Sequence, residues 1–198
     1  MSWNLLAYGS DAPSRARRLT VNAILAAALV AIYGLWTDFV PARVMHIAGT
    51  TLAIAATVAT TLVLWRGYLT GAIPYGPTAT TRVRRTIVLL AIPLFAFMIT
   101  WTILVRSIPD LLTRWTTRSS SFAVELRRAH GIGRRACDLQ VRGEYLGFMP
   151  GHICVTAATF EKLPEKGLMI IRGRTSVLGT HIVAVEPMPA DEAPLPDG

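Results

Sequence analysis

Three windows of this chain contain no Asp, Glu, Lys or Arg: Leu19 to Thr37, Val44 to Trp65 and Thr86 to Val105, of 19, 22 and 20 residues. A helix rises about 1.5 Å per residue, so about 20 residues cross the hydrocarbon core of a bilayer. No water is present there to satisfy a bare backbone, and each window is therefore expected to be a helix. Aromatic residues fall near the ends, at Tyr33 and Trp36, Trp65 and Tyr68, and Trp101, where amphipathic rings favour the interface. Only 16% of the residues are charged and 52% are hydrophobic, whereas a soluble domain carries about a quarter charged. That balance excludes an ordinary soluble enzyme and a disordered chain. It leaves an integral membrane protein whose 198 residues have room for one small extramembrane domain.

The first window can also be read as a secretory signal with Arg15, Arg17 and Arg18 as its basic region. Its apolar run exceeds the roughly 7–15 residues usual there, and a polar tail precedes it, which favours an uncleaved anchor. Orientation follows from the basic flanks. The tail 1–18 carries three Arg, and the loop between the second and third windows carries Arg66, Arg82, Arg84 and Arg85. The intervening loop carries only Arg43. This places the N-terminus in the cytoplasm and the C-terminal half outside. Segment 106–135 argues the other way, with seven Arg against Asp110 and Glu125, but charge in a long translocated domain weighs less. Arg outnumbers Lys 18 to 2, which points to a GC-rich bacterial genome. The expected location is thus the bacterial inner membrane, with the C-terminal domain in the periplasm.

Beyond the spans the period changes. In 106–121, Ile108, Leu111, Leu112 and Trp115 recur at helical spacing, with Asp110, Arg114 and Arg118 on the other side. This predicts an amphipathic linker helix, lying on the membrane surface or docked on the next domain. From Phe122 the period is two. Phe122, Val124 and Leu126 and then Cys137, Leu139 and Val141 alternate with polar residues, and Gly131 and Gly133 supply a hairpin turn. Further strands fit His152–Thr156, Leu168–Arg172 and His181–Glu186, with a short helix over Ala157–Leu163 stopped by Pro164 and Gly167. The expected fold is three transmembrane helices, within 19–105, plus a small C-terminal β domain over 122–186. That domain has five strands and one short helix in an order that fits an OB-like barrel, an SH3-like barrel or a meander. Residues 187–198, with four Pro and three acids, are expected to be a disordered tail.

Candidate chemistry is sparse. Cys137 and Cys154 fall in adjacent expected strands about a centre near Tyr145–Leu146, and a disulfide between them suits a thin-cored domain. Buried free thiols are the alternative, and a redox pair lacks the Cys-x-x-Cys spacing that lowers a thiol pKa. Gly131-Ile-Gly133-Arg-Arg-Ala136 matches a dinucleotide fingerprint in form, but an alternating strand follows it where a helix is needed. His130, His152 and His181 have no metal-ligand spacing, and His46 lies at the interface end of its span. Ser176 lacks the glycine spacing of a nucleophile elbow. The site expectations are therefore no catalytic residues, no cofactor and no metal.

Small residues mark helix faces. Ala23, Ala27 and Ala31 share one, as do Gly49 with Ala53 and Ala55 with Ala59, for packing within the chain or against partner helices. Pro93 is expected to kink the third span by freeing the carbonyl of Leu89. Arg114, Arg118, Arg127, Arg128, Arg134 and Arg135 suit lipid headgroups or a partner. Over 106–198 twelve basic residues face ten acidic ones, and aromatics are scarce, which disfavours nucleic acid.

The expectation is a non-catalytic accessory or assembly subunit. It meets lipid and other membrane subunits, binds no small-molecule substrate, and presents its β domain to a protein partner. A membrane-tethered nucleic-acid barrel and a thiol oxidoreductase are the alternatives.

Overall fold

The computed structural model describes residues 12–70, 82–131, 137–147 and 151–189. The chain divides into two compact units, Met1–Leu35 with Ala48–Ser107 and Trp36–Ile47 with Ile108–Gly198.

The first unit is helical. Helices α1 (Arg15–Trp36), α2 (Arg43–Leu69) and α3 (Arg82–Thr102) cover the three charge-free windows, and α3 passes into a π-helical turn at Ile103–Ser107. Three helical runs, Arg17–Trp36, Arg43–Leu69 and Leu89–Thr116, are long and apolar enough to cross a membrane. Their polarity is inverted relative to a soluble bundle. Leu29, Leu52, Val63, Leu90 and Phe95 are exposed, while Gly49, Ala53, Thr57 and Thr61 form the buried stripe of α2. Along α1, Ala23 is exposed, Ala27 half-buried and Ala31 buried; Ala55 and Ala59 on α2 are exposed.

Proline at position 93 has no amide hydrogen to give the carbonyl of Leu89, four residues back. The indole Nε1 of Trp65 donates to that oxygen instead, at 2.9 Å. Trp101 Nε1 donates to Thr50 Oγ1 at 3.0 Å. Where the expected third span stops at Val105, the helical run continues through Arg106, which is only 2% exposed. Its Nε donates to the carbonyl of Gly34 at 2.7 Å, so the charge enters an apolar setting already bonded. Ser107 Oγ donates to the carbonyl of Val30 at 2.8 Å. Glycine at position 34 leaves room for Ser107 and Thr102, whose side chains a Cβ there would have to push aside.

The second unit holds a curled half-barrel of six antiparallel strands. They are β1 (Phe39–Pro41), β2 (Ser119–His130), β3 (Leu139–Arg142), β4 (Ile153–Cys154), β5 (Lys166–Ser176) and β6 (Gly179–Pro187). Helix α4 (Ile108–Thr116) precedes β2, a 3-10 turn occupies Glu144–Leu146, and α5 (Ala157–Lys162) separates β4 from β5. The spatial order is β1-β6-β5-β2-β3-β4. Alternation on β2 buries Leu126 and half-buries Phe122 and Val124, and these pack with Val141, Leu146, Met169 and Ile171 in one core. The five expected strands are present; β4 keeps two residues of the five-residue strand expected at 152–156.

The sixth strand is a correction. Phe39–Pro41 pairs with β6 in the register Phe39↔His181, Val40↔Thr180 and Pro41↔Gly179. Three residues between two apolar helices carry too short a period to announce a strand, yet Phe39 is fully buried. On α4 the polar side faces inward: Pro109, Asp110 and Thr113 are covered, while Ile108, Leu112 and Trp115 are exposed. Buried hydrogen-bonding partners for Asp110 outweigh the apolar stripe in setting which side turns inward.

Candidate functional site

Helix α4 carries Asp110 into the β unit, where its carboxylate is 0% exposed. Thr37 Oγ1 donates to Oδ2 at 2.7 Å, and Arg114 Nε, one helical turn on, lies 3.1 Å from the same oxygen. Nδ1 of His181 on β6 lies 2.9 Å from Oδ1. One carboxylate thus joins α4, the segment before β1, and β6. Around it, Ile182 N donates to the carbonyl of Asp38 at 3.0 Å and Ala42 N to that of Leu178 at 2.9 Å. Thr113 and Ser176 hydroxyls meet at 2.7 Å, and an Arg174 guanidinium nitrogen donates to the carbonyl of Arg114. Unpaired, such a buried charge would cost several kcal/mol; with these partners it acts as a clamp.

The sheet has a gap on its other side. β2 pairs with β5 over Ser119–Arg127 but with β3 only over Arg127–His130. Among the described residues, the flank of β2 away from β5 therefore has no strand partner from Ser119 to Leu126. A cleft of about 830 Å³ opens there, and Glu125, Arg127, Arg142, Glu144 and Lys166 are among its lining residues. Gly143 closes one end, packed so tightly that a Cβ would meet the carbonyl of Glu125 at 2.8 Å. Tyr145 is committed elsewhere: its ring meets Phe122 edge-on with centroids 5.4 Å apart, and its hydroxyl donates to Thr180 Oγ1 at 3.0 Å.

Cys137 and Cys154 form a disulfide with Cα atoms 5.8 Å apart. They do not face each other as expected, because the register sets Gln140 opposite Cys154; Cys137 reaches the bond from just before β3. One ligating atom from each of Cys137, His152 and Cys154 lies within 4.8 Å of the others. The sequence hid this trio, since spacing between histidines carries no information about a histidine beside cysteines.

The other marked residues have distinct places. His130 packs against Phe160 with ring centroids 5.2 Å apart, and His181 serves Asp110, so the three histidines do not share a site. Ser176 Oγ accepts from Leu178 N at 3.1 Å in the β5–β6 turn. Arg118 and Arg127 are exposed. Arg128 donates to the carbonyl of Phe160 at 3.1 Å and stacks over that ring at 5.1 Å. Gly133, Arg134 and Arg135, with the rest of the glycine motif after Gly131, lie outside the described residues, as does the tail from residue 190.

Asp110 and Thr37 were missed as site residues because a single acid on a polar helix side reads as solvated. Their signal was the scarcity of acids between 12 and 124, where Asp38 and Asp110 stand alone. Comparison of the chain with protein-family profiles, with curated proteins and with solved structures returns no match.

Proposed function

We propose that this protein is a non-catalytic membrane subunit whose three apolar helices hold a β module that binds an extended segment of a protein partner. The observation that carries the reading is the unpaired flank of β2 over Ser119–Leu126 beside the open cleft. A sheet edge of this kind accepts a strand through main-chain hydrogen bonds, with side chains of the cleft setting specificity. The lining mixes Glu125 and Glu144 with Arg127, Arg142 and Lys166, which suits a polypeptide of mixed charge. A nucleic-acid strand is served worse, because two carboxylates would face its phosphates and Tyr145, the aromatic of the cleft, is already engaged with Phe122 and Thr180.

The strand pairing also suits an OB-type barrel left open between β4 and β6. β2 pairs with both β3 and β5 across the helix connection, and β1 occupies the flank of β6 on which a closed barrel would continue.

A parity argument supports three crossings. β1 follows α1 and pairs with β6, so the first loop and the C-terminal module share one side of the membrane. Two crossings, by α2 and the α3 run, then separate them. The exposed Ile108, Leu112 and Trp115 of α4 supply an apolar face for lipid. The basic flanks and the disulfide favour a cytoplasmic N-terminus and a module on the oxidising, periplasmic side of a bacterial inner membrane.

The test is site-specific photocrosslinking in intact cells from Ala123 and Glu125 on β2, with Val183 on β6 as control. The expected result is one protein adduct of defined mass from the β2 positions, weakened by Arg142→Glu and absent from Val183. Adducts to nucleic acid or to lipid alone, or none from β2, would overturn the reading.

A further inference from the structure

We propose that Cys137, His152 and Cys154 form a redox-gated Zn2+ site, filled only when the disulfide is reduced. In the oxidised chain both sulfurs are spent on each other, yet an imidazole stands with them, all three ligating atoms lying within 4.8 Å of one another. A pair of thiolates and one imidazole is a donor set that holds zinc, with Zn–S near 2.3 Å and Zn–N near 2.0–2.1 Å, and the fourth position left to water. Two sulfurs on one tetrahedral zinc sit about 3.8 Å apart by that bond length. Side-chain rotation reaches this separation from Cα atoms 5.8 Å apart.

Two further observations fit. Gly151, at φ +69°, makes the turn that delivers His152, in a backbone region that side-chained residues avoid. Gln140 sits opposite Cys154 in the β3–β4 register, and cross-strand partners share a face of the sheet. Its side chain is fully buried, and neither amide atom has a hydrogen-bond partner among the described residues. A buried amide left in this state calls for a water or an ion, and a zinc-bound water supplies one.

The chemistry balances. A dithiol gives two electrons and two protons to the Cys137–Cys154 bond, yielding two thiols and its own disulfide. Zn2+ then displaces both thiol protons as the two Zn–S bonds form. Oxidation by a disulfide compound reverses this: the Cys137–Cys154 bond re-forms, the oxidant leaves as two thiols after taking up two protons, and zinc is released. Cys154 is exposed, so both reagents have access.

The full chain in detergent, reduced with a phosphine and cleared of it without air, is titrated with Zn2+ against a chromogenic chelator and with Co2+ as a spectroscopic probe. The reduced protein is expected to bind a single equivalent, with thiolate-to-cobalt charge-transfer absorption, and the oxidised protein none. His152→Ala should weaken Zn2+ binding by at least the roughly 10–100-fold that loss of a supporting residue costs at known sites. This variant retains both cysteines, so its fold is verified in the oxidised state. If reduction loosens the module, added zinc must restore its circular dichroism, because metal binding is then folding energy. A reduced chain that binds no zinc overturns the proposal, as does His152→Ala with unchanged affinity and cobalt spectrum. Neither result decides the partner-binding reading, which rests on the flank of β2 and is read separately by crosslinking from Ala123 and Glu125.

Discussion

The indole N–H of Trp65 donates to the carbonyl of Leu89, the oxygen that Pro93 leaves without its helical partner. A side chain from α2 thus repairs a defect in α3. Trp65→Phe is expected to cost about 1 kcal/mol, the scale of one such bond in an apolar setting. In a Pro93→Ala background the amide of residue 93 can serve Leu89 itself, so Trp65→Phe should become nearly neutral. A double-mutant cycle of unfolding in detergent checks this, and strict additivity would sink the idea.

Asp110→Ala should be the most damaging polar substitution in the β unit. It removes the acceptor shared by Thr37, Arg114 and His181, and breaking a buried pair costs about 3–5 kcal/mol. Thr37→Val removes one donor and should cost less, about 1 kcal/mol. Thermal unfolding followed by circular dichroism ranks the two, and equal melting temperatures would refute the clamp.

Gly179 has φ +150° and lies against β1, where a Cβ would run into the backbone of Val40 and Pro41. Gly179→Val combines strain with overpacking and is expected to cost about 2–4 kcal/mol. Its signature is local: amide exchange at Ile182, which bonds the carbonyl of Asp38, should accelerate while the β2–β5 ladder stays protected. Uniform loss of protection would contradict the separate attachment of β1.

The disulfide spans a separation of 17 residues, for which chain-entropy reasoning gives about 3 kcal/mol. Cys137→Ser should lower the melting temperature accordingly. In cells, a heavy maleimide is expected to shift the wild-type protein only after reduction. Modification without reduction would place the module in a reducing compartment.

Much of this architecture is legible in the chain because it rests on local signals. Absent charge marks α1, α2 and α3, and period-two alternation marks β2 and β3 as a hairpin, whose register, Arg127↔Arg142, only the structure gives. The freed carbonyl of Leu89 follows from Pro93 alone. What escaped depends on distant partners. β1 is a strand only because β6 lies beside it, and Asp110 is buried only because Thr37 and His181 arrive from elsewhere. The disulfide was legible as a pairing but not in its register, since the centre of a hairpin is set by backbone details of the loop. His152 belongs with Cys137 and Cys154 through the turn at Gly151, which spacing does not encode.

The pairing of Phe39 with His181 carries a consequence for how the molecule is made. The ribosome delivers β1 well before β6, with two apolar helices made in between that the proposed topology puts into the membrane. Until β6 emerges, Phe39 and Val40 lack the strand they pair with, and in the proposed topology the loop carrying them waits on the side of the membrane where that strand arrives. In that topology a nascent chain that inserts either helix wrongly cannot complete the sheet. Under the proposed topology, the pairing of β1 with β6 therefore makes the finished β module a record that insertion succeeded.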